Sequence, residues 1–548
     1  MIDWVEIRLR LLRKSEYISN LKKNWFLPVS SVFFFLLYGR SWLSYYIGIP
    51  LAVLLVTFLS AITPPLTEKM KKMHFLLRCY SLINSFGICW GSLYVYRSFV
   101  FRWGGSGELL RTAFALLGLP AVYVANILFC EKITGILKDI LSPAKIKRTE
   151  VLLYALVLLV LSGFVGFFFL KSPAFYATSN PFDVIYTTDT PSMVRLNAYV
   201  VLNFRENDIR QPLFSVFAAP FSGVPSLLGC FTPDVFRAWL LDIFQIAILM
   251  LTNVMLAIRL ELSKIQRICF VLFFSFTHTC LLFSLLMEQY IIAYFFLILA
   301  IILLCEQRKE ARLATCAAGG TLLTSLALTP LLFPMLKRRD FRKEKGKYIT
   351  GWIADMFRTG VDFLLLVFLF SRLDVLLDSV DNMMVLSKFS GESVGFINRF
   401  QQYTHFVRNL FIAPNAGPVK GEWDSWQLDP ISSISILGVI VLIITAVCFL
   451  VTWKNKMSRI AGGWILFSFV ILIIIGWGTS ENGLVLYSLY FGWAYFVLIF
   501  QALKALEEKL KCRFIIPVFT AAAVIAMLVA TIPGFMDMMD FAVGAYPG

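Results

Sequence analysis

The sequence predicts an all-α, polytopic transmembrane helix bundle of about thirteen to fifteen spans. Of its 548 residues, 59% are hydrophobic and 15% charged, against roughly 25% charged in soluble domains. Mean hydropathy is +0.76. Apolar runs of about eighteen residues or more recur along the chain, the length at which a helix crosses a hydrocarbon core. Strand-like alternation is absent, which argues against a β-barrel. The net charge of +16 does not point to nucleic acid. The basic residues sit in short segments between apolar runs, where Lys and Arg set membrane orientation. The ten cysteines are scattered and form no CxxC pair, so no disulfide framework is read from them.

Orientation follows from the basic clusters at Arg8–Lys23, Lys69–Lys72, Lys132–Arg148, Arg259–Arg267, Arg308–Arg312, Lys337–Lys347, Lys454–Arg459 and Lys504–Arg513. All are assigned to the cytoplasm, together with the N-terminus. A first region, 1–149, then holds four spans at 25–38, 44–62, 76–98 and 109–130. A second region, 150–335, opens with an outward span at 150–170 that delivers a large outer loop, 171–233. Within that loop, 213–229 is apolar but interrupted by Pro220, Gly223 and Pro225, which disfavour a straight crossing helix. Crossing there would also carry Arg259, Lys264 and Arg267 outside. The expectation is therefore a helix lying on the outer membrane surface. Spans at 234–258, 267–286 and 289–305 follow. The stretch 312–335 starts and ends on basic clusters yet is one span long. Two half-helices meeting near Ser325–Pro330 resolve this, because irregular backbone is tolerated at membrane depth where it is buried or lines a cavity. The third region, 336–548, has a span at 359–377, a second outer loop at 378–431, and spans at 432–453, 459–477, 482–503 and 514–532. The C-terminus falls outside. The expected location is the cell membrane.

Two outer loops hold most of the polarity. The first reads FDVIYTTDTPSMVRLNAYVVLNFRENDIRQPLFSVF and contains Asp183, Asp189, Arg195, Arg205, Glu206, Asp208 and Arg210. Residues 190–205 suit an amphipathic helix with Val194, Ala198 and Val201 on one face. Asp189 then stands at its N-cap, and capping alone explains an Asp there. Glu288, in LLMEQYIIAY at the outer end of a span, is a second carboxylate on the same side. Its simpler reading is an interfacial side chain reaching water; an ionisable group at a membrane boundary is also a functional candidate. Two such groups can share general-base and positioning work on an acceptor hydroxyl or amine. The second loop reads GFINRFQQYTHFVRNLFIAPNAGPVKGEWDSWQLDP. Arg399, His405 and Arg408 are expected to share roughly one side of a helix, among Tyr403, Phe406, Trp423 and Trp426. Arginines set among aromatics suit an anionic lipid phosphate, and an aromatic belt with solvated charges is the simpler alternative. Three scattered histidines make no metal site.

This layout resembles the membrane glycosyltransferases of the GT-C type, such as the lipid A aminoarabinose transferase and the protein O-mannosyltransferases. The resemblance covers roughly 150–335 and is one of topology. An outward span delivers a long loop that opens on an acidic motif, here Asp189. The loop continues as a surface helix and carries a second motif before a proline, here DIRQPLF at Asp208–Phe214. Glu288 occupies the place of a further acidic residue. Departures are Thr190 after Asp189, where those families show a second acidic residue, and Gln211, where they show His or Lys. Four extra spans precede the usual first one. The resemblance implies a GT-C-like bundle that transfers a sugar from a polyprenyl-phosphate donor to a glycan, lipid or protein acceptor, with inversion at the anomeric carbon. It implies Asp189 and Glu288 as catalytic residues. Arg210, Arg399, Arg408 and His405 would hold the donor phosphate. Asp208, Arg195 and Arg205 would position the acceptor or the loop. Metal dependence varies within the type, so a divalent metal stays open, while membrane lipids are expected partners and nucleic acid is not.

Two rival readings remain. A transporter or flippase of lipid-linked sugars needs ionisable groups near the bilayer midplane and, usually, related halves. His278 is one such group, but no similarity between halves is visible. An O-antigen ligase or polymerase-like enzyme would place its essential groups at 378–431 rather than at Asp189.

Overall fold

The computed structural model describes residues 14–38, 43–93, 107–176, 184–186, 188, 190–195, 198–201, 210–229, 231–232, 234–336, 344–373, 375, 394–421, 424–479 and 483–547. The described residues are helical almost throughout. The helices before the first loop are α1 (Lys14–Lys23), α2 (Phe26–Tyr38), α3 (Ile49–Ile62, entered through a π-helical turn at Ser44–Gly48), α4 (Leu66–Lys71), α5 (Phe75–Leu93), α6 (Gly107–Leu141) and α7 (Arg148–Lys171). Then come α8 (Thr190–Arg195), α9 (Phe214–Gly229), α10 (Asp234–Arg259), α11 (Lys264–Ser275), α12 (His278–Leu285), α13 (Tyr290–Cys305), α14 (Ala311–Thr321), α15 (Thr329–Leu336) and α16 (Lys345–Leu369). The last stretch holds α17 (Phe396–Asn409), a two-stranded antiparallel hairpin of β1 (Ala416–Val419) and β2 (Ser425–Leu428), and then α18 (Ile436–Thr452), α19 (Lys456–Phe469), α20 (Ser488–Leu510) and α21 (Ile515–Ala545).

Among the described residues, seven helices are long and apolar enough to cross a membrane: α3 with its π turn, α6, α7, α10, α19 with the turn after it, α20 and α21. An eighth is α11 with α12, bent by 62° at their junction. Five shorter apolar helices accompany them, so this is an all-α membrane protein. The strict number falls below the thirteen to fifteen spans expected because several expected crossings are short or polar. The 76–98 span is α5, which carries Ser81, Asn84 and Ser85. The 359–377 span belongs to α16, which carries Asp355, Arg358 and Asp362.

Two compact units make up the chain, each drawn from three separated stretches. The first comprises Met1–Asp139, Leu196–Pro233 and Phe296–Asp381, and the second Ile140–Arg195, Asp234–Phe295 and Asn382–Gly548.

In the first unit, α9 differs from the expected surface helix. Eleven of its sixteen residues are buried, so it is packed on most sides, chiefly against α5. It also runs through both Pro220 and Pro225. A proline removes one donor from the helical ladder, and here Asn84 of α5 is spliced into the disturbed turn. Its Nδ2 donates to the Ala219 carbonyl at 3.1 Å, and its Oδ1 accepts from the Val224 N–H at 2.9 Å. The Tyr80 hydroxyl donates to the Pro220 carbonyl at 2.7 Å. The helices meet at Gly87 and Gly223, where a Cβ on either would collide with the other helix's backbone. The expected half-helices are present as α14 and α15, separated by an extended Leu322 and a 3-10 turn at Leu323–Leu328. The break begins before Pro330, which sits in the first turn of α15, where a missing N–H is harmless. Arg210–Leu213 seals the break: Leu213 N–H donates to the Gly320 carbonyl, and Leu323 N–H to that of Arg210, both at 2.8 Å.

Ion pairs gather this unit's basic clusters. Lys69 meets Glu131 at 2.7 Å, Lys132 meets Glu310 at 2.9 Å and Arg308 meets Asp139 at 3.0 Å. In the second unit the clusters near 148, 264 and 504 also converge. Arg267 pairs with the buried Glu150 at 2.8 Å, and Tyr154 donates to the same carboxylate at 3.0 Å. Lys264 donates to Thr149 at 2.8 Å, Gln266 to Glu507 at 2.6 Å, and Lys504 to the Glu261 carbonyl at 3.1 Å. Helix α7 leads from this charged end to the loop end about 35 Å away. There the Ser172 hydroxyl donates to the Ala542 and Tyr546 carbonyls, at 3.0 and 2.9 Å.

Candidate functional site

The loop end of the second unit holds the best candidate. Its floor is the α11–α12 break. A broken span exposes backbone groups that lipid cannot satisfy, and the C-terminus of α17 supplies the partners. His278 N–H and Thr279 N–H donate to the Phe411 and Leu410 carbonyls at 3.2 and 3.4 Å. The Thr279 hydroxyl reaches the Leu410 carbonyl at 3.1 Å, and His278 Nδ1 lies 2.8 Å from the Asn409 carbonyl. Free carbonyls at the end of one helix thus meet free amides at the start of another.

Helix α17 is seated from its buried face. The Tyr403 hydroxyl bonds the Tyr495 and Ser468 hydroxyls, each at 2.8 Å. Thr404 presses on Gly438, where any Cβ would strike the Thr404 carbonyl, and Thr404 Oγ1 accepts from Ser435 N–H at 3.0 Å. These contacts fix where the basic residues point. Arg399 and Arg408 are nine residues apart, half a turn out of phase, so they do not share one side of the helix. Arg399 donates to the Ile473 and Ile474 carbonyls at 3.3 and 3.0 Å, capping the turn after α19. Arg408 donates to Asn415 Oδ1 at 3.2 Å and to the Ala413 carbonyl at 3.4 Å. His405 lies one turn before Arg408, its Nε2 3.1 Å from the Ser433 carbonyl. Burial lowers the His405 pKa, the Ser433 carbonyl opposes the shift, and the Arg408 charge adds to it. Burial also lowers that of Arg408.

The two loops are joined in this unit. Tyr186 N–H donates to the Trp426 carbonyl at 2.9 Å, and Trp426 N–H to the Val184 carbonyl at 2.7 Å, adding a short parallel bridge beside β2. The Trp426 indole donates to the Tyr186 hydroxyl at 3.3 Å. Tyr546, near the chain's end, donates to the Asp424 carbonyl at 2.7 Å. Asp189 lies outside the described residues, as do Arg205 and Asp208, and the Arg195 side chain is likewise undescribed. Their neighbours show a short α8 in place of the expected 190–205 helix, with a turn at 198–201. Val194, Ala198 and Val201 are buried. Glu288 occupies the turn between α12 and α13 and is 1% exposed, so it does not reach water as an interfacial side chain would.

Arg210 belongs to the first unit, where its carbonyl caps the α14 break. Beside it is a residue that sequence reasoning missed. Arg372 is 4% exposed and donates from Nε to the Pro212 carbonyl at 3.2 Å. Only its place just after an apolar helix hinted at a role. Among the described residues, no three His, Cys, Asp or Glu side chains gather as metal ligands. No family model, no curated protein and no solved structure matches this chain.

Proposed function

We propose that this chain is an integral membrane glycosyltransferase. It transfers a sugar from a polyprenyl-phosphate donor to a glycan, lipid or protein acceptor on the outer face of the membrane. The observation that supports this reading is the Tyr186–Trp426 pairing. It ties the chain three residues before Asp189 to the loop whose helix carries His405 and Arg408.

In this reading Asp189 takes the proton of the acceptor hydroxyl or amine as that atom attacks the anomeric carbon in line. The bond from that carbon to the lipid phosphate oxygen breaks, and the phosphate leaves as an anion. Arg408 stabilises that developing charge, which is where fixed donors accelerate a reaction most, and His405, whose Nε2 lies on the Ser433 carbonyl, sets the helix face beside it. Arg399 is assigned to holding α17, because it ties that helix to the turn after α19. Glu288 orients the acceptor, and Arg195 shapes the loop that admits it.

The test is transfer of a labelled sugar from polyprenyl phosphate in membranes bearing equal amounts of each variant. Asp189→Asn is expected to lose about a hundredfold or more of the rate, the usual contribution of a positioned base. Full activity in Asp189→Asn would sink the assignment. Loss in Arg408→Ala with full activity in Asp189→Asn would favour a ligase-like enzyme centred on the second loop.

A further inference from the structure

The most unusual polar group in the second unit is remote from both loops. Asp242 lies within α10, a helix long and apolar enough to cross the membrane. It stands about 12 Å along the axis from the Asp234 end, and Gln245 about 16 Å. Asp242 is 0% exposed and Gln245 1%. Both carboxylate oxygens of Asp242 and both amide atoms of Gln245 lack a hydrogen-bond partner. The two side chains are three residues apart, so their Cβ atoms are about 5–6 Å from each other on one helix face.

The surrounding charges are committed elsewhere. Helix α10 packs on α7, α11 and α12. On α7, Glu150 is bonded by Arg267 of α11 and by Tyr154. Arg148 and Lys171 stand at the two ends of α7, and Lys264 at the start of α11, is bonded to Thr149. On α12, His278 faces the Asn409 carbonyl. Tyr294 of α13 donates to Asn253 at 3.0 Å. Cys269 and Cys280 are buried thiols. Arg237 and Arg259 on α10 itself point to other faces or lie turns away.

We infer that Asp242 and Gln245 form a binding site for a small monovalent cation, a proton or Na+, within the membrane-spanning part of the second unit. An ionised carboxylate in an apolar interior is strongly disfavoured unless its charge is balanced, and among the described residues no basic side chain donates to this one. One carboxylate supplies one negative charge, which a monovalent cation neutralises and a divalent one overshoots. Three oxygens, two from Asp242 and one from Gln245, are the hard ligands such cations accept. The same helix packs on both halves of the bent span, and discontinuous helices recur at intramembrane ion sites.

The test uses the full-length protein in lipid nanodiscs and the apolar reagent dicyclohexylcarbodiimide. A protonated carboxyl in an apolar setting adds its O–H across the carbodiimide to give an O-acylisourea. This rearranges to a stable N-acylurea that mass spectrometry maps. The expected result is an adduct on Asp242 that is absent from Asp242→Asn. Near-saturating Na+, with choline as control, cuts the adduct about tenfold if Na+ competes at the site. An adduct insensitive to Na+ identifies the proton as sole occupant. Melting temperatures of wild type, Asp242→Asn and Gln245→Leu across pH and Na+ provide a second readout where the reagent fails to enter. A cation-dependent difference between wild type and either variant upholds the site. No adduct, together with melting curves that move in parallel for all three, overturns it. Sugar transfer has no part in these readouts, so either proposal can fail alone.

Discussion

Tyr186 and Trp426 are bonded through both backbone and side chain, by an amide–carbonyl bond of 2.9 Å and an indole–hydroxyl bond of 3.3 Å. They are 240 positions apart in sequence, and the join fixes two loops that neither could order alone. Tyr186 takes a left-handed backbone, φ 53°, which a β-branched or bulky residue adopts only when its surroundings enforce it. Trp426→Ala is expected to destabilise the protein by about 3–5 kcal/mol and to open both loops to protease. Trp426→Phe keeps an aromatic ring but loses the donor and part of the indole, and is expected to cost less, about 1–3 kcal/mol. Thermal unfolding and limited proteolysis measure the two effects.

Asn84 bonds the α9 backbone on both sides of Pro220, at the Ala219 carbonyl and the Val224 N–H. Asn84→Ala removes two buried bonds to the Ala219 carbonyl and the Val224 amide, and is expected to cost about 2–4 kcal/mol. Tyr80→Phe removes a single bond to Pro220 and is expected to cost about 1 kcal/mol. Equal melting temperatures for the two variants would contradict this splicing.

The Glu150–Arg267 pair is buried at both partners, 0% and 9% exposed. Arg267→Met strands a carboxylate and is expected to cost about 3–5 kcal/mol. The double variant Arg267→Met with Glu150→Leu should recover most of that loss, because a well-packed apolar pair replaces a desolvated ionic one without residual charge. Chemical denaturation of the single and double variants gives the coupling.

Glu310 provides a pH signature. Partial burial pushes its carboxyl up, but hydrogen bonds from Lys132 and Arg308 outweigh this and hold it down, from its usual 4.5 to about 2. A group depressed on folding stabilises the protein above its unfolded value and ceases to do so as pH falls through its folded one. The contribution is therefore complete above pH 4.5 and is lost between 4.5 and about 2. Lys132 is 55% exposed, so solvent and salt screen the pair and the effect is small. Glu310→Gln should melt slightly earlier at neutral pH, and the gap to wild type should close over that acid window.

The arginines of α17 should separate in kinetics. Arg399→Gln is expected to lower the melting temperature and leave the donor KM unchanged. Arg408→Gln is expected to raise the donor KM by about tenfold, consistent with loss of one charge-assisted contact. Initial rates against donor concentration distinguish them, and matched behaviour of the two variants would remove the division of labour.

Much of the architecture was legible in the sequence because it rests on local rules. Apolar run length and the placement of Lys and Arg identify most helices. The clusters around 148, 264 and 504 converge on one end of the second unit. What was not legible depends on long-range partners. Pro220 and Pro225 argue locally against a helix, and only Asn84, far away in sequence, reverses that argument. Arg399, His405 and Arg408 were read as one face, but a nine-residue separation is half a turn off, and the carbonyls at Ile473 and Ile474 claim Arg399. Asp242 escaped notice because a single Asp in an apolar run leaves its hydropathy nearly unchanged. Its significance comes from the partners its oxygens lack.

The α5–α9 crossing also carries a consequence for biogenesis. Synthesis runs from the N-terminus, so Asn84 and Gly87 are made long before Pro220 and Gly223 leave the ribosome. The helix that needs help is made after the helix that gives it. Until α9 docks, the stretch through Pro220 and Pro225 lacks the bonds from Asn84 and Tyr80, so packing of α9 waits on a finished α5. A variant at Gly87 would then act as an assembly defect. It would yield a chain whose earlier segments are inserted normally and whose later half is recognised by quality control as incomplete.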